Sequence, residues 1–423
     1  MGEKLQAPRG TSDVLPGQSD ARDRLVEGVA GPLMTRSGYG RIETPVFEVT
    51  ALFARGVGES TDVVQKEMYT FEDQGGRSIT LRPEGTAAVC RAYVEHGMHK
   101  LPQPVKLWYH GPFFRQEAPQ AGRFRQFSQI GAEALGSDSP LVDAESIALL
   151  DGLLNAAGTN GVRLRIGSLG SHEERAAYSD ELKGFLRANE SKLSHEVAER
   201  IDLNPLRAFD AKDEATQQVM TTAPRLMDSI SAADREHFDA VLSLLDAADV
   251  AYEIDTTLVR GLDYYTRTVF EFTADGLGAQ SGVAGGGRYD GLVEMLGGPP
   301  TPGVGWAAGV ERILASAGAQ ETNVSADVYV AFEPGVDEAT MFKLATELRS
   351  RLAGPVILEL GGRALRSQLK QASKLGARHV VILGGERGQY DAAVKNMETG
   401  NQEELSGLTA TDYVAAIAER VSQ

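Results

Sequence analysis

The sequence predicts a large part mixing strands and helices, broken by a helical insertion, followed by a small C-terminal α/β domain. Three observations predict it. The chain has 423 residues. Domains run to roughly 150 residues, so two or three are expected. Residues from about 171 to 250 are charged, poor in glycine and read as short helices. From Asp327 onward, apolar strand-like runs alternate with helical ones, the mark of a mainly parallel sheet.

The elements follow in order. Leu25, Val29 and Leu33 recur every fourth residue and predict a helix that Gly38 and Gly40 stop. Pro83 opens a helix with Val89, Tyr93 and Val94 on its apolar side. Val105 to Arg115 alternates, with Val105, Leu107 and Tyr109 on one side, and alternation resumes from Arg123 to Glu133 after the loop at Pro119 and Gly122. That is two strands joined by a polar connection. Ile147, Leu150 and Leu154 mark a helix, and Phe238, Val241, Leu242 and Leu245 mark one inside the insertion. Strands return at Tyr252–Val259 and Tyr264–Phe272, before the glycine-rich run Gly282–Gly291. In the last domain, strands at 328–332, 356–360 and 379–383 alternate with helices at 339–352, 364–375 and 411–421. Asn323-Val324-Ser325 reads as the linker, which sets the expected domains at 1–325 and 326–423.

Composition excludes several classes. Apolar residues make up 42% and charged residues 24%, as in an ordinary globular protein. Cys90 is the single cysteine, which rules out a disulfide framework or a multi-cysteine zinc site and fits a reducing cytoplasm. No apolar run approaches the ~20 residues that cross a bilayer, and the first thirty residues lack the apolar core of a secretory leader. Lysine plus arginine total 42 against 59 acids, a net charge of −17. Taken alone, that argues against nucleic acid or anionic membrane as a partner.

Local charge argues the other way. From Lys100 to Ile130, five cations stand against Glu117 alone, with Trp108, Tyr109, Phe113, Phe114, Phe124 and Phe127 between them. Alternate residues of a strand share a face. From Arg123 to Glu133 the odd face carries Arg123, Arg125, Phe127, Gln129, Gly131 and Glu133. Cations, a flat ring, an amide, a gap and a carboxylate form no core, since buried charges need partners. They suit the floor of a site for a ligand with a phosphate end and a hydrogen-bonding end; the alternative is a solvated edge strand. Arg363, Arg366, Lys370, Lys374 and Arg378 recur at three- or four-residue spacing in a stretch without acids. That is a phosphate-binding stripe or a solvated basic face.

The remaining motifs exclude more than they assign. No Gly-Lys-Ser/Thr, His-Glu-x-x-His or Gly-x-Ser-x-Gly occurs. Gly285-Gly286-Gly287 is a turn or a place where backbone lies against a ligand. The small residues from Gly303 to Gly309 let a helix pack closely and carry Arg312 to the ligand, although an adjacent Glu-Arg is usually a surface pair. His96 and His99 lack a third ligand, so no protein-held metal is expected.

Four segments resemble the histidyl-tRNA synthetases: Arg82-Pro83-Glu84-Gly85-Thr86; Phe114-Arg115-Gln116-Glu117 with Gly122-Arg123-Phe124-Arg125-Gln126-Phe127; Leu258 to Tyr265; and Gly285 to Gly291. Gly303 to Arg312 is similar to the third signature of class II aminoacyl-tRNA synthetases, and the segment around Pro45 to their first, which forms a dimer interface. The resemblance runs through essentially the whole chain. It implies an α+β catalytic domain, an antiparallel sheet flanked by helices with a helical insertion, and a C-terminal α/β anticodon-binding domain. It implies a homodimer that activates histidine with ATP and passes it to tRNA(His), with Mg²⁺ bound through the ATP phosphates.

Roles follow from the resemblance residue by residue. Arg115 holds the α-phosphate, Phe127 stacks on adenine, and Arg312 binds the triphosphate from the other side. Arg123 and Glu117 assist at the ATP end. Glu84, Gly85, Thr86 and Gln129 bind the ammonium end of histidine. Glu133 and Tyr265 read the imidazole, with Tyr264 and Tyr289 lining the pocket. Arg260 is the fixed cation beside the α-phosphate and the carboxylate. Gln120 and Arg123 face the tRNA acceptor end, and Arg363, Arg366, Lys370 and Lys374 its anticodon end. Ala118 stands where many relatives have arginine, which affects acceptor-end recognition. Two rivals are a non-catalytic synthetase-like subunit that senses histidine and a synthetase for another amino acid. Arg115, Arg260, Arg312 and the basic stripe oppose the first; Glu133 with Tyr264-Tyr265 opposes the second.

Overall fold

A computed structural model describes residues 4–58, 61–117, 123–259, 261–277, 282–318, 326–384, 391–406 and 410–422. The chain divides into two compact units, Met1–Val14 with Ala21–Gln320 and Leu15–Asp20 with Glu321–Gln423. The expected linker at Asn323–Ser325 lies outside the described residues.

In the first unit the strands are β1 (Gly40–Arg41), β2 (Phe47–Val49), β3 (Thr70–Glu72), β4 (Ser78–Leu81), β5 (Val105–Phe114), β6 (Gln126–Leu135), β7 (Arg163–Ser168), β8 (Glu253–Ile254), β9 (Thr266–Thr273), β10 (Gly282–Arg288) and β11 (Gly303–Gly309). Eight of them form one sheet in the order β1-β5-β6-β11-β10-β9-β7-β8. Its interior pairings, from β5 to β7, are all antiparallel, and the edge strands β1 and β8 pair in parallel. An antiparallel sheet with helices on its faces is the α+β class. β2, β4 and β3 form a separate three-stranded sheet.

Strand alternation divides the sheet's residues between two cores. On one face, Ile130 and Ala132 of β6, Phe270 and Phe272 of β9 and Trp306 of β11 meet Leu25 and Met34, Ile147 and Leu150, and Phe238 and Val241 from three helical stretches. The helix Pro140–Ala156 begins with Pro140 in its first turn and the Ser139 hydroxyl accepting the Leu141 N–H. On the other face, Tyr109, Phe113, Tyr264, Tyr265 and Tyr289 pack with Tyr178, Leu182 and Leu186 of the helix His172–Ala188.

Several expected boundaries shift. The helix after Pro83 starts at Thr86. β6 begins at Gln126, so Arg123 and Arg125 precede the regular strand. The strand expected at Tyr252–Val259 shrinks to Glu253–Ile254. The two glycine runs are β10 and β11, interior strands of the large sheet, so the first is not a turn, and the helix Val310–Ala317 that follows the second carries Arg312 to the cleft.

The second unit has strands β12 (Val328–Phe332), β13 (Val356–Leu358), β14 (His379–Gly384), β15 (Asp391–Asn396) and β16 (Gln402–Leu405) in the order β13-β12-β14-β15-β16. The first three are parallel, as alternation predicts; β15 and β16 add an antiparallel edge. Helices Glu338–Arg351, Leu365–Lys374 and Ala410–Ser422 accompany them.

Candidate active site

The two facing strands lay out a floor. Across β5 and β6, Phe113 stands opposite Phe127, Gly111 opposite Gln129, Tyr109 opposite Gly131 and Leu107 opposite Glu133. The gap at Gly131 is filled from the neighbouring strand. A Cβ on Gly131 or on Gly85 would overlap the Tyr109 ring, so the ring lies between two glycines. Gly85, Tyr109, Phe127 and Gln129 line a cleft of about 250 Å³, whose walls also include Glu84, Thr86, Arg115, Arg123, Tyr264, Tyr265 and Arg312.

At one end lies a buried polar network. Glu133 is 0% exposed. It accepts hydrogen bonds from Thr86 Oγ1 at 2.7 Å, Tyr289 OH at 2.6 Å and Tyr109 OH at 3.2 Å. β11 crosses beside it, and a Cβ at Gly305 would overlap its carboxylate. Burial pushes the Glu133 carboxyl up to about 8; bonds from Tyr289 and Thr86 pull the other way, and Glu84 adds to the rise. Glu84 accepts from the Thr86 N–H at 2.7 Å and the Ala87 N–H at 3.0 Å, capping the helix Thr86–Glu95. Its burial also raises its pKa. Gln129 Oε1 is buried and has no hydrogen-bond partner among the described residues. A buried acceptor left in that state costs about 1–3 kcal/mol, which a donor on a ligand removes.

At the other end are cations and rings. Arg115 donates to the Pro83 carbonyl at 2.9 Å, and its guanidinium lies 5.5 Å from the centre of the Phe127 ring. Glu117 holds Arg123 at 2.8 Å and stands 3.8 Å from Arg115. Burial and the neighbouring Arg123 lower the pKa of Arg312. Guanidinium groups gathered at one end of a cleft suit an anionic ligand. Glu311 is no plain surface partner: it pairs with Arg22 at 2.9 Å and accepts from the Ser128 N–H at 3.0 Å, tying the N-terminal helical stretch to β6.

Most of the expected site residues meet in this cleft, but Glu133 and Tyr289 sit behind its wall. Glu133 meets the cleft through Thr86 and Tyr109, which line it. Tyr264 packs between Tyr265 and Tyr289, with ring centres at 4.7 and 5.7 Å. Gly282 to Gly285 line the cleft, and of Gly285-Gly286-Gly287 only Gly285 is among them. Arg260, Gln120 and Ala118 lie outside the described residues. Tyr109, Leu262 and Glu271 line the cleft without having been singled out as ligand contacts. Tyr109 was readable as the aromatic facing the Gly131 gap, once the two strands are paired.

In the second unit, Arg363, Ser367, Lys370, Gln371 and Lys374 border one shallow recess, and Arg366 falls outside it. Arg363 is held by Glu359 at 2.8 Å and Arg378 by Asp327. Two of the five cations in the stripe are therefore paired, which the absence of acids from the local sequence concealed.

Among the described residues no helix is long and apolar enough to cross a membrane, and no group of three or more His, Cys, Asp or Glu is arranged to hold a metal. Residues 10–313 match the family model described as histidyl-tRNA synthetase. The histidine–tRNA ligase of Desulforamulus reducens is 47% identical over 406 residues, covering 94% of this chain and 96% of its own. That of Desulfitobacterium hafniense is 46% identical, covering 95% of each. Among solved structures, apo histidyl-tRNA synthetase of S. aureus matches with a TM-score of 0.79 and 34% identity, over 99% of this chain and 100% of that one.

Proposed function

The chain belongs to the histidyl-tRNA synthetase family, and on that premise we propose how its cleft ligates histidine to tRNA(His). One ribbon supports the reading: β5 and β6 carry a ring at one end, with Arg115 and Arg123 in the chain just beyond them, and an amide and a buried acid at the other. ATP lies across the first end, with adenine on Phe127, the α-phosphate at Arg115 and the polyphosphate between Arg123 and Arg312. Glu117, which holds Arg123 and neighbours Arg115, yields those cations to the phosphates. Histidine lies across the second end. Its ammonium group meets Glu84, Thr86 and Gln129 beside Gly85, and its imidazole meets Tyr265 and the hydroxyls backed by Glu133. Tyr264 and Tyr289 wall that end.

The histidine carboxylate attacks the α-phosphate in line; a new P–O bond forms and the bond to pyrophosphate breaks. Negative charge shifts onto phosphate oxygens that fixed cations already face, so little reorganisation is needed. Arg260 is assigned to the α-phosphate and carboxylate. The terminal ribose hydroxyl of tRNA then attacks the acyl carbon, AMP leaves, and no protein nucleophile takes part. Mg²⁺ carried in with ATP would supply charge neutralisation at the leaving pyrophosphate, with no protein cage needed to hold it. Gln120 and Arg123 face the acceptor end. Arg363, Arg366, Lys370 and Lys374 meet the anticodon end. The working form is a homodimer in the cytoplasm.

A histidine-sensing subunit without catalysis has no need of Arg115 and Arg312 in one cleft, nor of a second domain that carries a basic helix. The test is ATP–pyrophosphate exchange with each of the twenty amino acids. Histidine alone is expected to drive it. Exchange with another amino acid, or none with histidine, overturns the reading.

A further inference from the structure

We propose that Arg175, assisted by His172, is a positioning residue: the first turn of the insertion holds the backbone that carries the tyrosines of the amino-acid end. The inference rests on the reading above and deepens it.

The turn is itself anchored. Ser171 caps the helix His172–Ala188 in a reciprocal box with Glu174. The Glu174 carboxylate accepts from the Ser171 N–H at 2.8 Å and the Ser231 N–H at 2.6 Å. Those two serines begin the first helix of the charged segment and the helix Ala232–Ala247 that closes it, so one carboxylate ties together the points where the chain enters and leaves.

From this base Arg175 reaches the substrate side. Its two terminal nitrogens donate to the backbone carbonyls of Tyr265, at 2.5 Å, and Asp263, at 2.6 Å. These carbonyls flank Tyr264, and Tyr264 and Tyr265 both line the cleft. His172 extends the grip. Its Nδ1 lies 3.2 Å from Arg175, and its Nε2 lies 3.2 Å from the carbonyl of Asp290, which follows Tyr289. With Arg175 donating to Nδ1, the ring donates from Nε2; burial and Arg175 lower its pKa, consistent with that neutral form. Three carbonyls beside three pocket tyrosines are thus held by one helical turn. Only a planar guanidinium spans two such acceptors in a fixed fork; a lysine ammonium reaches one well. Neither donor bond of Arg175 touches Arg115, Phe127, Arg123 or Arg312.

The test is steady-state pyrophosphate exchange with the full chain, varying histidine and ATP separately, on wild type, Arg175→Met, Arg175→Lys, His172→Ala and Lys183→Ala. Lys183 lies on the same helix in a surface pair with Asp180 and serves as control. Expected for Arg175→Met is a rise in the histidine KM of about tenfold, from two lost charge-assisted bonds, with the ATP KM within about twofold. Arg175→Lys recovers part of the loss, His172→Ala gives a smaller rise of the same kind, and Lys183→Ala gives none. Equal rises for both substrates, or a lowered melting temperature with unchanged kinetics, overturn the inference. If Arg175→Met does not fold, Arg175→Lys and His172→Ala decide by the same split. A wild type without histidine-dependent exchange overturns the functional reading itself; an active wild type with no split overturns this inference alone.

Discussion

Glu133 illustrates what a single residue reveals and conceals in a sequence. Its parity with Phe127 and Gln129 was legible, because side chains on a strand repeat every second residue. Its depth was not. Parity tells the side of the sheet, but only the pairing of β6 with β11 sets Gly305 beside the carboxylate, and its donors, Thr86, Tyr109 and Tyr289, come from distant parts of the sequence. The physical consequence is testable through pH. The folded value of about 8 lies above the ordinary 4.5, so the folded protein keeps a proton that the unfolded chain gives up. The linked stability is therefore whole below about pH 4.5 and declines as pH rises towards 8. Glu133→Gln keeps a neutral group of the same shape and should flatten that decline in chemical denaturation followed from pH 5 to 8. It should also raise the histidine KM more than the ATP KM, since one of the two carboxyl oxygens becomes an NH2 donor and the Thr86, Tyr109 and Tyr289 hydroxyls must share the single acceptor that remains. A pH dependence equal to wild type, or equal effects on both substrates, would show that the carboxyl does not govern this end.

Among elements, the strands readable by alternation, β5 and β6, stand nearly where expected, whereas β10 and β11 were hidden. Glycine is depleted in strands because it brings no side chain to pack. Here the missing side chains are the point: Gly303 and Gly305 leave room for the Tyr289 ring and the Glu133 carboxylate. A rule based on average composition misreads a strand whose neighbours fill its space. The second helix of the second unit poses the opposite problem. Leu365–Lys374 was legible as a basic helix, but Arg363 and Arg378 turn out to face Glu359 and Asp327, which come from outside the acid-free stretch. Arg366, Lys370 and Lys374 are the exposed cations of the helix itself. Replacing all three with alanine should weaken tRNA binding and charging while histidine-dependent pyrophosphate exchange survives. Each phosphate contact contributes about 0.7–0.9 to the slope of log affinity against log salt. The triple variant should therefore flatten that slope by about two to three, and an unchanged slope would make the helix a solvated surface.

For the whole molecule, the net charge of −17 resists close approach of two copies, so association needs a local surface that outweighs it. The three-stranded sheet offers one. Val49, Ile79 and Phe71 stand in one row across β2, β4 and β3, and Phe47 lies two residues along the strand from Val49, on the same side. Phe47 is 55% exposed, Val49 51% and Phe71 48%. Exposed apolar residues grouped in this way suit a contact between two copies. A two-fold contact repeats each residue on both sides, so a single substitution enters the interface twice. Acidic replacements at Phe47 and Phe71 would add like charges across the axis to a chain already negative. In sedimentation equilibrium the wild type should show about twice 45.3 kDa, and the Phe47→Glu, Phe71→Glu variant should sediment as a single chain with its circular dichroism preserved. A wild type at the mass of one chain would remove the homodimer from the account. A double variant that stays paired would move the interface away from this sheet.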